Sequence, residues 1–214
     1  MVKTCVAAAL IAVAVALAIP SGAKAQENPV PELSSVRGEL RKGGLVIYFR
    51  HGATEATGPS DTTTELSRCE TQRNLSAEGR AQATRIGTAF RNLGIPVGAV
   101  ESSPFCRCKD TAQLAFGRYT VNNVLSFAIN VSADERKQLA ESLRRMLATP
   151  PAPGTNTVIV SHTANLQEAT GIWPKPEGVA YIFRPLPGGR FEVVARANPE
   201  DWARATKPKA AASG

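Results

Sequence analysis

Two strand-like runs constrain this chain more than any other feature: Leu45-Val46-Ile47-Tyr48-Phe49 and Thr157-Val158-Ile159-Val160. Neither alternates cleanly between apolar and polar residues, which marks strands covered on both faces and therefore a sheet packed between helices. Each run leads into a histidine, His51 and His162, and the chain has no other histidine. Helical patterns alternate with further strand-like runs along the sequence. The expected fold is a single-domain, three-layer α/β/α sandwich with a mostly parallel central sheet. In such sheets ligands bind beyond the carboxyl ends of the strands. Both histidines are expected there.

The first 25 residues read as a segment separate from that domain. Lys3 precedes an almost unbroken apolar run over residues 6–19, Pro20-Ser21-Gly22 breaks it, and Ala23-Lys24-Ala25 supplies a small-x-small cleavage site. That layout predicts a secretory signal peptide cleaved after Ala25. The run is shorter than the ~20 residues of a spanning helix, which argues against a membrane span. Cys5 stands at the wrong end of the run for lipid attachment. Residues 26–204 are expected to form the domain and residues 205–214 a disordered tail, with the mature protein periplasmic or secreted. Without Lys3 and Lys24, 23 basic residues face 18 acidic ones. Such a surplus attracts anionic ligands but also suits an ordinary basic exported protein. No long Lys/Arg run of the kind that tracks nucleic acid is present.

Helices are expected over residues 31–41, from the Ser76 cap to Gly94, after Ser103-Pro104 through Ala115, and from Ser132 to about Leu147. Strands are expected over residues 99–102 and 124–131. Residues 180–183 and 191–194 flank Pro187-Gly188-Gly189 as a hairpin. Residues 54–67, rich in Thr, Gly and Pro, read as a long loop beside His51. Three cysteines follow the predicted cleavage site, and export permits a disulfide. Cys106 and Cys108 are too close in sequence to bridge without strain, so Cys69 pairs with one of them. A zinc site lacks a second ligand pair.

The motifs carry the functional reading. Arg50-His51-Gly52-Ala53-Thr54 resembles the Arg-His-Gly signature of the histidine phosphatase superfamily, which includes phosphoglycerate mutases and acid phosphatases. Three more segments are similar to that family in the same order: Leu75-Ser76-Ala77-Glu78-Gly79-Arg80-Ala81-Gln82-Ala83, Ser102-Ser103-Pro104-Phe105-Cys106-Arg107-Cys108-Lys109-Asp110-Thr111-Ala112, and Val160-Ser161-His162-Thr163. The resemblance implies that His51 attacks phosphorus and carries the phosphoryl group, with Arg50, Arg107 and His162 around the equatorial oxygens. Gly52 would let the backbone approach the phosphate, and Thr54 would add a hydroxyl contact. The residue chemistry agrees: imidazole is a neutral nucleophile near pH 7 and guanidinium clamps phosphate oxygens. No metal or cofactor is required. A Cys69–Cys106 bridge would fix the turn that bears Arg107. Arg73 could join the site or lie outside it, and Arg80 reads as a helix-surface charge.

The proton donor to the leaving group is the open position. One branch of the family uses a glutamate downstream of the second arginine, where Glu135 stands, although a capping role accounts for Glu135 without catalysis. The other branch uses an aspartate directly after the second histidine, where this chain has Thr163. Glu177 and Glu55 are the further candidates. The expected activity is metal-independent hydrolysis of a small anionic phosphomonoester, for which an envelope component is one source, with neither nucleic acid nor a membrane span involved. A phosphate- or phosphohistidine-binding module of the same fold, weak in turnover, is the alternative. A purely structural envelope protein leaves the paired histidines and arginines without a role.

Overall fold

The computed structural model describes residues 30–59, 61, 65–129 and 131–206. The expected signal peptide lies outside the described residues. After a 3-10 turn at Leu33–Val36 come α1 (Arg37–Lys42), β1 (Val46–Arg50), α2 (Ala77–Leu93), β2 (Val97–Ser102) and α3 (Cys106–Phe116). They are followed by β3 (Thr120–Val121), α4 (Ala133–Ala148), β4 (Asn156–Ser161), α5 (Thr163–Thr170), β5 (Ala180–Leu186), β6 (Arg190–Ala197) and α6 (Pro199–Ala205). The six strands form one sheet in the order β3-β2-β4-β1-β5-β6. The first four are mutually parallel, while β5 runs antiparallel to β1 and to β6. The expected hairpin is therefore the antiparallel edge of a mostly parallel sheet. Among the described residues no helix is long and apolar enough to cross a membrane.

β1 shows why its sequence is apolar on both faces. Ile47 and Phe49 point into a core shared with α1, α2, α3 and α6, whereas Val46 and Tyr48 point into a second core shared with α4 and α5. Phe49, Phe90, Phe116 and Trp202 form an aromatic cluster in the first core, with ring centroids 4.7–6.1 Å apart. α2 begins where Ser76 Oγ accepts a hydrogen bond from Gly79 N, 3.1 Å away, and ends at Gly94 in the left-handed conformation. Both ends follow from residue chemistry: the short hydroxyl satisfies an orphan N–H, and glycine carries no Cβ to clash at positive φ.

One expectation is corrected. The described residues of the 124–131 run do not form a strand. A 3-10 turn occupies Asn123–Leu125, capped by Asn122 Oδ1 accepting from Val124 N, and the chain then loops toward α4. Of the apolar side chains that suggested a strand, Leu125 fills the second core, Phe127 is half-buried with its ring 4.9 Å from that of His162, and Ile129 is exposed. A helix not expected from the sequence runs up to the first residue of the expected tail. Ala205 closes α6, a helix held by an Asn198/Asp201 capping box, Pro199 in its first turn and the fully buried Trp202. Residues 207–214 of the expected tail lie outside the described residues.

Candidate active site

Sheet register places the two histidines. β1 and β4 pair in parallel with Arg50 opposite Ser161, so the next residue of each strand emerges at the same edge. His51 N donates to Ser161 O at 3.0 Å, and the imidazole rings stand 5.5 Å apart by centroid. Both rings are buried.

His51 Nδ1 lies 2.9 Å from Gly52 O, so that nitrogen carries the proton and Nε2 keeps its lone pair. Burial, followed by the Arg107 charge, holds His51 well below the usual histidine value. The ring is therefore neutral at pH 7, and among the described residues no hydrogen-bond partner occupies Nε2. His162 is likewise held neutral by burial and by Arg107. Its Nδ1 lies 3.3 Å from Arg107 Nη2, its Nε2 lies 2.8 Å from Ser103 Oγ, and its carbonyl accepts from the Tyr48 hydroxyl at 2.6 Å. Guanidinium only donates, so Nδ1 is the acceptor and Nε2–H donates to Ser103. His162 is locked from three directions.

The arginines come from two different elements. Arg50 ends β1 and donates to Glu177 Oε1 at 3.0 Å and to Pro174 O at 3.2 Å. Arg107 lies in the first turn of α3, fully buried. It donates to Asp61 Oδ1 at 2.8 Å, and its guanidinium sits 4.7 Å from the Phe105 ring centroid and 5.4 Å from that of Phe127. A disulfide joins Cys69 to Cys106, with Cα atoms 5.7 Å apart, directly before Arg107 in the chain. Gln72 Oε1 accepts from Cys106 N at 2.8 Å and adds a second tie at the same point. Cys108 remains a buried thiol, its pKa pushed up to about 12 by burial, 3.6 Å from His162 Nε2.

A pocket of about 420 Å³ opens over these groups. Arg50, His51, Arg73 and Arg107 line one end, and Phe127, Ile129, Arg136, Gln167, Glu168 and Trp173 lie along the rest. Positive charge dominates the inner end, which suits a phosphoryl dianion.

The structure thus gathers Arg50, His51, Arg107 and His162, and adds Arg73. The other expected site residues fall elsewhere. Gly52 packs against α2 and α3. Its N–H donates to Thr111 Oγ at 3.0 Å, and a Cβ there would meet Gly79 O of α2 at 2.9 Å. Thr54 turns toward Glu177, giving its N–H to Oε2 at 2.8 Å and its hydroxyl to Oε1 at 3.1 Å. Glu177 thus accepts hydrogen bonds from Arg50 and Thr54. Glu135 is exposed at the start of α4, where its N–H donates to Ser132 Oγ at 3.2 Å. Glu55 is also exposed, and its N–H donates to Asn74 O at 3.1 Å. Arg80 pairs with Asp110 on the surface at 2.7 Å. Sequence reasoning passed over Ser103 and Thr111, although both lie inside a segment it singled out. Asp61, Arg136 and Trp173 lie in loops or on helix faces with no local signature. Among the described residues no group of three or more His, Cys, Asp and Glu side chains gathers as a metal cage.

Comparison with known proteins finds likenesses in sequence and in fold. The family described as Histidine phosphatase superfamily (branch 1) matches residues 46–126. No curated protein sequence matches the chain. The fold resembles the protein histidine phosphatase SixA complexed with tungstate (13% identity, TM-score 0.51, covering 73% of this chain and 98% of that one). It also resembles the phosphoserine phosphatase of Entamoeba histolytica solved as a mutant with phosphoserine (14% identity, TM-score 0.50, covering 73% and 98%). A third likeness is to the product of open reading frame Rv3214 from Mycobacterium tuberculosis (18% identity, TM-score 0.51, covering 70% and 95%).

Proposed function

We propose that this chain, with its histidine phosphatase fold and signature, is an exported enzyme that hydrolyses phosphomonoesters through a phosphohistidine on His51. The observation that carries the reading is a neutral, buried imidazole whose Nε2 is free, set beside guanidinium groups that converge from β1 and α3. In the first step Nε2 attacks phosphorus in line, the P–N bond forms, and the P–O bond to the leaving group breaks with its electron pair. Arg50, Arg107 and Arg73 hold the equatorial oxygens, and their fixed charges stabilise the transferring group without reorganisation. In the second step water attacks the phosphohistidine, releasing inorganic phosphate and returning His51 to its neutral form. This chemistry needs no Lewis acid, because the guanidinium groups supply the positive charge.

The expected signal peptide and the Cys69–Cys106 bridge both support an oxidising, extracytoplasmic location. The expected substrate is small, anionic and phosphorylated. None of the three glutamates expected to donate a proton lines the pocket. That observation favours the second reading, a phosphate- or phosphohistidine-binding module. It also fits an enzyme best suited to leaving groups that depart without protonation.

The mature protein and its His51→Ala variant should be incubated with a chromogenic aryl phosphate, with and without chelator. The phosphatase reading expects activity that survives chelation and falls to background in the variant. Phosphate binding by a folded wild type that shows no turnover would establish the binding module instead.

A further inference from the structure

Arg107 is fully buried, yet the groups that touch it are mostly neutral: His162 Nδ1, the Arg73 carbonyl at 3.4 Å, and the faces of Phe105 and Phe127. A buried guanidinium without a counter-charge is strongly disfavoured. Asp61 supplies that charge. Its Oδ1 accepts from Arg107 Nη1 at 2.8 Å, and its Oδ2 lies 3.8 Å from Arg73 Nη2. One carboxylate thus spreads its two oxygens over two of the arginines that line the pocket.

We infer that Asp61 is the internal counter-anion of the phosphate clamp: it holds Arg107 between turnovers, and a bound phosphoryl group must displace it. This rests on the phosphatase reading of the pocket and adds to it a competitor built into the chain. An Nη1–H given to Asp61 is not available to a phosphate oxygen, so binding is an exchange of anions. Asp61 belongs to a segment anchored on both sides. Upstream, Thr54 is bonded to Glu177 and bridged to Leu75; downstream, Cys69 is covalently joined to Cys106 beside Arg107. The carboxylate therefore acts at a high effective concentration and needs no encounter to return. A substrate gains further contacts along the pocket that offset the displacement. Inorganic phosphate, left after the ester is cleaved, has none of these and is expelled. Asp61 thereby lowers product inhibition and discriminates against free phosphate.

The test is the affinity of the mature protein for inorganic phosphate, measured by calorimetry and by the phosphate-induced rise in Tm. Asp61→Asn keeps the shape and removes the charge. It should bind phosphate about tenfold more tightly than wild type, melt lower in phosphate-free buffer, and gain more in Tm from added phosphate. Asp61→Glu keeps the charge and should stay within about twofold of wild type. Equal or weaker phosphate binding by Asp61→Asn would overturn the inference while leaving the phosphatase reading intact. Folded proteins that do not bind phosphate at all would remove the reading on which it rests. A crystal structure of the wild type soaked in phosphate serves if Asp61→Asn does not fold. Asp61 should have left Arg107 Nη1, and a phosphate bound with that 2.8 Å contact still in place would refute the exchange.

Discussion

Gly79→Ala tests how the nucleophile is held. Gly79 sits in the first turn of α2 directly against the backbone that follows His51. A Cβ added there would lie 1.9 Å from Ala53 O, 2.8 Å from its carbonyl carbon and 2.9 Å from its nitrogen. The Ala53 carbonyl cannot swing aside cheaply, because it accepts from Ser76 N at 3.0 Å and from Ser76 Oγ at 3.2 Å. Reaching an ordinary contact requires roughly 1.5 Å of movement between α2 and the 52–53 segment. Overpacking of this kind costs about 1–3 kcal/mol. Weakening the two Ser76 bonds adds about 1 kcal/mol each, and alanine returns about 1 kcal/mol through helix propensity. The expected net loss is about 2–4 kcal/mol by urea unfolding. Because the displaced segment carries His51, kcat/KM for an aryl phosphate should also fall about 100-fold at a temperature where the variant is fully folded. Gly87 is the internal control. A Cβ there would lie 2.0 Å from Ala115 O, at the contact of α2 with α3 and away from the pocket. Gly87→Ala should lose similar stability yet keep kcat/KM within about threefold per folded molecule. A Gly79→Ala protein as stable and as active as wild type would refute the argument, as would equal activity losses in the two variants.

Glu177→Gln should lower kcat/KM by about 10- to 100-fold, the size of one charge-assisted hydrogen bond lost from Arg50. A pH–rate profile with an unchanged alkaline limb would mark Glu177 as a positioning group, whereas loss of that limb would restore it as an acid. His51 and His162 are both held well below the usual histidine value, so the acid limb of kcat/KM should fall below pH 6.5. Stability has the same sign. Unfolded histidines bind protons near pH 6.5 while the folded ones do not, so stability is complete above that pH and declines as pH falls below it, with a limiting slope of about 2.7 kcal/mol per pH unit for two groups. Chemical denaturation at pH 7.5 and 5.5 measures the decline. Reducing the Cys69–Cys106 bridge, which closes a separation of 37 residues, should cost about 3–4 kcal/mol of stability and weaken phosphate binding by loosening the turn that bears Arg107. Calorimetry with and without reductant reads both effects.

The fold was legible where local chemistry and burial agree. The apolar runs of β1 and β4 announce a two-sided core, and Ser76 and Gly94 mark the ends of α2 through the atoms they offer or lack. The reading failed at residues 124–131, because an apolar run does not say where its side chains go: Leu125 fills the core from a 3-10 turn, while half-buried Phe127 packs its ring against His162. α6 was missed because its seven residues are too few to show a helical period, although Asn198-Pro199 and Asp201 carried its cap. In the site, the histidines and arginines were visible because they lie in contiguous motifs. Glu177 was visible as a carboxylate near the site but not as the partner of Arg50, since 127 residues separate the two. Asp61 gave no signal in a loop without periodicity.

The pairing of Arg50 with Ser161 across β1 and β4 separates two tasks that many sites entangle. Reactive groups are set by strand register, which moves only in whole steps of about 3.3 Å and reverses the side-chain face at each step. On the phosphatase reading, the surroundings of the leaving group come instead from connecting segments, such as those bearing Phe127, Ile129 and Trp173. Those segments can be lengthened, shortened or rewritten without disturbing the reactive groups. A library that randomises the connections around Ile129 and Trp173 while leaving β1 and β4 intact would change which ester is accepted and leave the chemical step as it is. The chain is in this sense a reaction centre with an exchangeable mouth.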